Sequence, residues 1–67
     1  MNEDTIIRIE DADGEPGGEY HECRWIDFRS DNRDDDDTLA QVACLRPGEH
    51  VIIGGGAAPA FRVLRPA

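Results

Sequence analysis

The sequence predicts an α+β fold, a small antiparallel β-sheet of about four strands in the order β-β-α-β-β with one short helix packed on one face. Three observations carry this. Apolar and charged residues alternate near both ends of the chain, a 3.6-residue period interrupts them over Thr38–Arg46, and clusters of Gly, Pro and Asp punctuate the joins. With 67 residues there is room for a single domain, 1–67, that buries only roughly 60% of its unfolded surface. The core is therefore thin.

Thr5–Asp11 sets Ile7 and Ile9 against Arg8 and Glu10, the period-2 mark of a strand with one buried face. Asp11–Gly18, rich in Gly and acids, is turn chemistry. Glu19–Arg29 reads as a long second strand whose phase is not clean: Tyr20, Ile26 and Phe28 share one side, and Cys23 and Trp25 take the other. Either both faces are partly covered or a bulge near Trp25 shifts the phase. Over Thr38–Arg46, Leu39, Val42, Ala43 and Arg46 form a helical stripe with Leu45 on its flank. Asp37 or Thr38 suits its N-cap, and Pro47-Gly48 ends it. Such a helix, roughly 13 Å long, is too short to stand without a sheet beneath it. Glu49–Ile53 and Ala60–Arg65 are the last strands, joined as a hairpin through Gly54–Pro59.

Charge is distributed unevenly. The residues up to Asp37 hold 14 acids and four arginines, whereas from Thr38 onward one acid faces three arginines. Ser30–Thr38 contains five aspartates in nine residues, a density that repels itself and is best tolerated where a cation meets it. A net charge of −8 argues against direct binding to nucleic acid or an anionic membrane, both of which need Lys and Arg to neutralise phosphate. The partners to expect are basic. The acidic N-terminus is unlike a secretory signal, and the longest apolar-leaning run, Val51–Phe61, is broken by glycines and a proline, so a cytoplasmic protein with free thiols at Cys23 and Cys44 is expected.

Each candidate site has a plain alternative. One or two acids before a helix suffice to complement its dipole, but Asp34, Asp35, Asp36 and Asp37 together with Asp31 exceed that need. Glu10, Asp13, Glu15 and Glu22, with Asp11, Glu19 and Asp27, form a second acidic set on the first two strands and their turn. If that turn folds toward the 31–37 loop, the carboxylates make a stripe that crudely copies the regular charge of duplex DNA. The bland alternative is a solvated face. Asp11-Ala12-Asp13-Gly14-Glu15 looks like a calcium loop but lacks EF-hand spacing. His21, Cys23, Cys44 and His50 are the residue types of a zinc site or of a Cys–His nucleophile pair, without the tight knuckle of the first or the orienting group of the second. The glycines at 54–56 lack the Lys-Ser/Thr ending of a phosphate loop. Arg62 and Arg65 read either as a small basic edge on the last strand or as edge charges that discourage sheet pairing. No metal, cofactor or catalytic residue is expected.

In its length, its carboxylate-rich first half and the density of Asp34–Asp37, the whole chain resembles the small acidic phage proteins known as anti-CRISPRs, particularly those that mimic DNA. The resemblance is one of character and rests on no shared motif. It implies a non-enzymatic inhibitor that occupies the basic surface of a CRISPR effector, in type I systems the subunit that reads the motif beside the target. Asp31 and Asp34–Asp37 would then stand in for phosphates, and Glu10, Asp13, Glu15 and Glu22 would extend the track. The alternative is a small phage or bacterial structural or adaptor protein that binds through its sheet, its acidity serving solubility. An exposed apolar patch at Trp25 and Tyr20 would favour it. A monomer is the default.

Overall fold

The computed structural model describes residues 1–14, 18–55 and 59–67. The fold is α+β. Its strands are β1 (Ile6–Asp11), β2 (Tyr20–Arg24), β3 (His50–Ile53) and β4 (Phe61–Leu64), and its helices α1 (Trp25–Asp31) and α2 (Asp36–Ala43) stand between β2 and β3. The sheet runs β2-β1-β4-β3 with every pairing antiparallel, so each terminal half contributes a hairpin and the two hairpins join through β1 and β4.

Register divides the sheet into two faces. Ile7 lies opposite Cys23, and Ile9 lies between His21 and Val63, with Val51 beyond Val63. These point toward the helices. Because successive side chains alternate, Arg8, Glu10, Glu22, Arg62, Ile52 and Tyr20 occupy the other face, which nothing covers among the described residues. The core is small: Ile7 and Val63 from the sheet, Trp25 and Phe28 from α1, and Val42 with Leu45 from α2 and its exit.

The expected long strand over Glu19–Arg29 stops at Arg24, and the fold has two helices where one was expected. Trp25 and Phe28, three residues apart, lie on one side of a helix, both 6% exposed, with ring centroids 6.0 Å apart. The irregular phase of this segment is thus a change of period. Arg24 at the N-cap offers no side-chain bond, but Trp25 N donates to Thr5 O (2.7 Å) and Ile26 N to Glu3 O (3.1 Å). The residues before β1 thereby satisfy two of the amides that a helix start leaves open. At the other end, Asn32 N and Nδ2 both donate to Phe28 O (3.1 and 2.9 Å).

α2 starts two residues earlier than the sequence suggests and is capped by Asp35, whose carboxylate accepts from Thr38 N (3.1 Å) and Thr38 Oγ1 (2.7 Å). It ends at Ala43, leaving Arg46 beyond the helix. Arg46-Pro47-Gly48-Glu49 closes as a turn, Glu49 N donating to Arg46 O (2.9 Å). Gly48 supplies the φ of +88° that the third position of a type II turn requires. Gly54 has φ +90°, and a Cβ there would lie 2.6 Å from Pro59 O, so the β3–β4 connection needs a glycine at this point. Residues 56–58 of that connection lie outside the described residues.

β4 is a central strand, so Arg62 and Arg65 are not edge charges. Arg62 pairs with Glu10, and Arg65 Nη1 donates to Leu45 O (3.0 Å), tying the C-terminal segment to the exit of α2.

Candidate binding surface

The aspartates of the 31–37 run gather where the two helices meet. Asp31 is the last residue of α1, Asp34 lies in the connection, Asp35 is the N-cap, and Asp36 and Asp37 form the first turn of α2. All five are exposed. Among the described residues none of Asp31, Asp34, Asp36 and Asp37 has an ion-pair partner within 4.0 Å. Asp35 is occupied by Thr38: the hydroxyl bond first and the backbone bond second hold its carboxyl below the usual range, against a smaller opposing effect of burial. Asp36 and Asp37 lie in the first turn of α2, at the positive end of its dipole.

The second acidic set does not extend this group. Strand alternation turns Glu10 and Glu22 to the face away from the helices, and each meets a guanidinium there. Glu10 is only 6% exposed and lies 3.6 Å from Arg62 Nη1, while Glu22 is 3.9 Å from Arg8 Nη2. Arg8 also stacks over Tyr20, 4.1 Å from its ring centroid. The expected single track is therefore corrected to one open acidic cluster on the helix side and a charge-paired ladder on the far face. Asp13 is exposed in the β1–β2 turn, its amide bound by Asp11 Oδ1 (3.0 Å), so Asp11 serves the turn itself. Glu15 lies outside the described residues.

The zinc and Cys–His possibilities separate in space. His21 and Cys23 face the helices from β2, Cys44 is the C-cap of α2, and His50 sits on the open face of β3. Among the described residues no three His, Cys, Asp or Glu side chains converge as a metal site would require. Burial, and after it the charges of Asp27 and Asp31, push the Cys23 thiol up. Among the described residues no helix is long and apolar enough to cross a membrane.

Beside the aspartates lies a groove that the sequence does not reveal. It encloses about 310 Å³ between the helix junction and the sheet end, lined by Ile9, His21, Cys23, Phe28, Ile53, Phe61 and Val63, with Asp31, Asn32 and Thr38 on its helix side. Phe61 is 45% exposed although it points to the helix-covered face. The cause is length: eight residues of α2 span only about 12 Å, too little to roof the whole sheet. The one sequence signal is the alternation that puts Phe61 on the same side as Val63; nothing in it says that the helices fall short. Compared with known protein families, curated proteins and solved structures, the chain shows no match.

Proposed function

We propose that this chain is a non-enzymatic inhibitor that sets the aspartates of its helix junction against the basic surface of a nucleic-acid-binding protein, a CRISPR effector of type I being the specific candidate, within the cytoplasm of the host cell. One observation carries the reading. Asp31, Asp34, Asp36 and Asp37 are clustered, exposed and, among the described residues, without an arginine within 4.0 Å, whereas Glu10 and Glu22 on the sheet each have one. Such a cluster accelerates encounter with a cationic groove over distances of about a Debye length, and close pairing with arginines then slows release. The effector is named by the resemblance to anti-CRISPR proteins, and the polarity of the surface supports it.

The test is displacement of target DNA from a reconstituted type I effector at low and high ionic strength. Wild-type protein is expected to displace DNA, less so as salt rises. The Asp31, Asp34, Asp36 and Asp37→Asn variant, which keeps the Asp35 cap, is expected to lose the effect with its fold intact. Undiminished displacement by that variant would sink the reading.

A second reading, an adaptor that binds through its sheet, is favoured by the uncovered face, where Ile6, Tyr20 and Ile52 are 45–47% exposed. Trp25 takes no part, being buried in the core. Ile52→Asp, on an edge strand, would abolish binding of that kind and spare displacement of DNA by the acidic cluster.

A further inference from the structure

The groove and the aspartates adjoin, and their chemistries are complementary to one kind of ligand. The floor is apolar, lined by Phe28, Ile53 and Phe61, of which Phe61 is the exposed one. Its helix-side lip is dominated by acceptors. Asp31 is an open carboxylate; Asn32 commits its Nδ2 to Phe28 O; and the Thr38 hydroxyl donates to Asp35. Beyond Asp31, after Asn32 and Arg33, the chain continues into Asp34–Asp37. An apolar slot of about 310 Å³ is at the lower end of the roughly 300–1,000 Å³ of small-ligand sites, sized for a side chain or two rather than for a cofactor. Acceptors around such a slot select donors, and a guanidinium presents five of them in a planar fork with no competing acceptor.

We infer that the groove takes a peptide segment of the basic partner in which one aromatic or large aliphatic side chain, flanked by arginines, enters between Phe28 and Phe61 while the arginines meet Asp31 and its neighbours. This rests on the proposed function and deepens it, because charge alone attracts any polycation whereas the slot distinguishes among them. Phe61 is the specificity-determining residue. Its half-exposed ring lines the slot without belonging to the buried core, so its replacement alters recognition more than stability.

The experiment uses the full chain and three short synthetic peptides: an arginine-rich one with a single central Phe, the same with Ser in place of Phe, and the same with Gln in place of every Arg. Affinity is measured calorimetrically at fixed low salt, and methyl resonances of Ile9, Ile53 and Val63 are followed by NMR. Burying one Phe is expected to make the first peptide bind about tenfold tighter than the second. Only the first should shift those methyls, and the Gln peptide should bind far more weakly. Phe61→Ser, its fold checked by the NMR spectrum, should erase the Phe advantage and leave the Ser peptide's affinity unchanged. Equal binding of the two arginine peptides, or persistence of the preference in Phe61→Ser, would overturn the groove assignment and leave the acidic surface standing. If neither arginine peptide binds, the proposed function falls and this inference falls with it.

Discussion

Glu10 and Arg62 face each other across the β1–β4 pairing, 3.6 Å apart, on the sheet face that the helices leave open. Glu10 is nonetheless 6% exposed, and its cross-strand neighbours on that face are Arg62 on one side and Tyr20 on the other. Arg62 reaches further, its Nη2 donating to Ala12 O (3.4 Å) at the start of the β1–β2 turn. One residue therefore balances a buried carboxylate and anchors a turn.

Removing the guanidinium should cost more than removing the carboxylate's charge. Arg62→Leu removes the guanidinium that lies 3.6 Å from a buried carboxylate, and an unfolding loss of about 2–3 kcal/mol is expected. Glu10→Gln keeps the shape and should cost about 1 kcal/mol or less. The double variant should recover part of the Arg62→Leu loss, and denaturant melts of all four proteins give the coupling directly.

The Asp35 cap makes a prediction whose sign is fixed by its carboxyl. Hydrogen bonds from Thr38 lower that group beneath its ordinary value of 3.8, so its stabilising effect is complete above that pH and fades as the pH falls below it. Asp35→Ala should lower the melting temperature by several degrees at neutral pH. Asp35→Asn, also a good cap, should retain most of the stability there but show a shallower decline in acid. Thermal melts of the three proteins from neutral pH down through 3.8 decide it.

The sequence revealed what depends on local pattern. Ile7 and Ile9, and Phe61 and Val63, marked their strands by alternation, and Leu39 and Val42 marked the second helix. It hid what depends on contacts between distant residues. α1 lacks a Ser, Thr, Asp or Asn cap because carbonyls of Thr5 and Glu3 do that work, and Trp25, Ile26 and Phe28 favour strands about as well as helices. The three-residue spacing of Trp25 and Phe28 was the available clue. Glu10 looked like a surface acid because it alternates with Ile7 and Ile9; it is buried, and only the strand order places Arg62 beside it. The density of aspartates over 31–37 was legible, but the capping role of Asp35 was not, and neither was the groove, whose opening follows from how far α1 and α2 extend over the sheet.

Self-repulsion in the 31–37 run should appear in the salt dependence of stability. Asp34, Asp36 and Asp37 are exposed neighbours with no ion-pair partner among the described residues, in a chain of net −8. Added sodium chloride screens them over distances of about 10 Å at 0.1 M and less above it, so the wild-type melting temperature should rise with salt. The triple Asn variant at these positions should show a flatter response. A wild-type curve that falls with salt would mean that attractive pairs elsewhere, such as Arg24 with Asp4 and Asp27, outweigh the repulsion.

Cys23 reports on the groove from inside, and Cys44 from outside it. Cys44 is exposed at the end of α2, whereas Cys23 is half-buried on β2 beside Phe28 and Asp31, and its thiol is pushed up by burial, then by Asp27 and Asp31. The thiolate is the reactive form, so iodoacetamide at slightly alkaline pH should modify Cys44 first and Cys23 several-fold more slowly. Asp31→Asn removes one of the charges that oppose the Cys23 thiolate without opening the core. It should therefore speed labelling at Cys23 and leave Cys44 unaffected, while Asp34→Asn, farther along the run, should change neither rate appreciably. Peptide mapping of the labelled protein over time separates the sites. Equal acceleration at Cys23 and Cys44 would trace the effect to net charge, and acceleration confined to Cys23 would fix Asp31 at the lip of the slot, where an arginine from a partner would meet it.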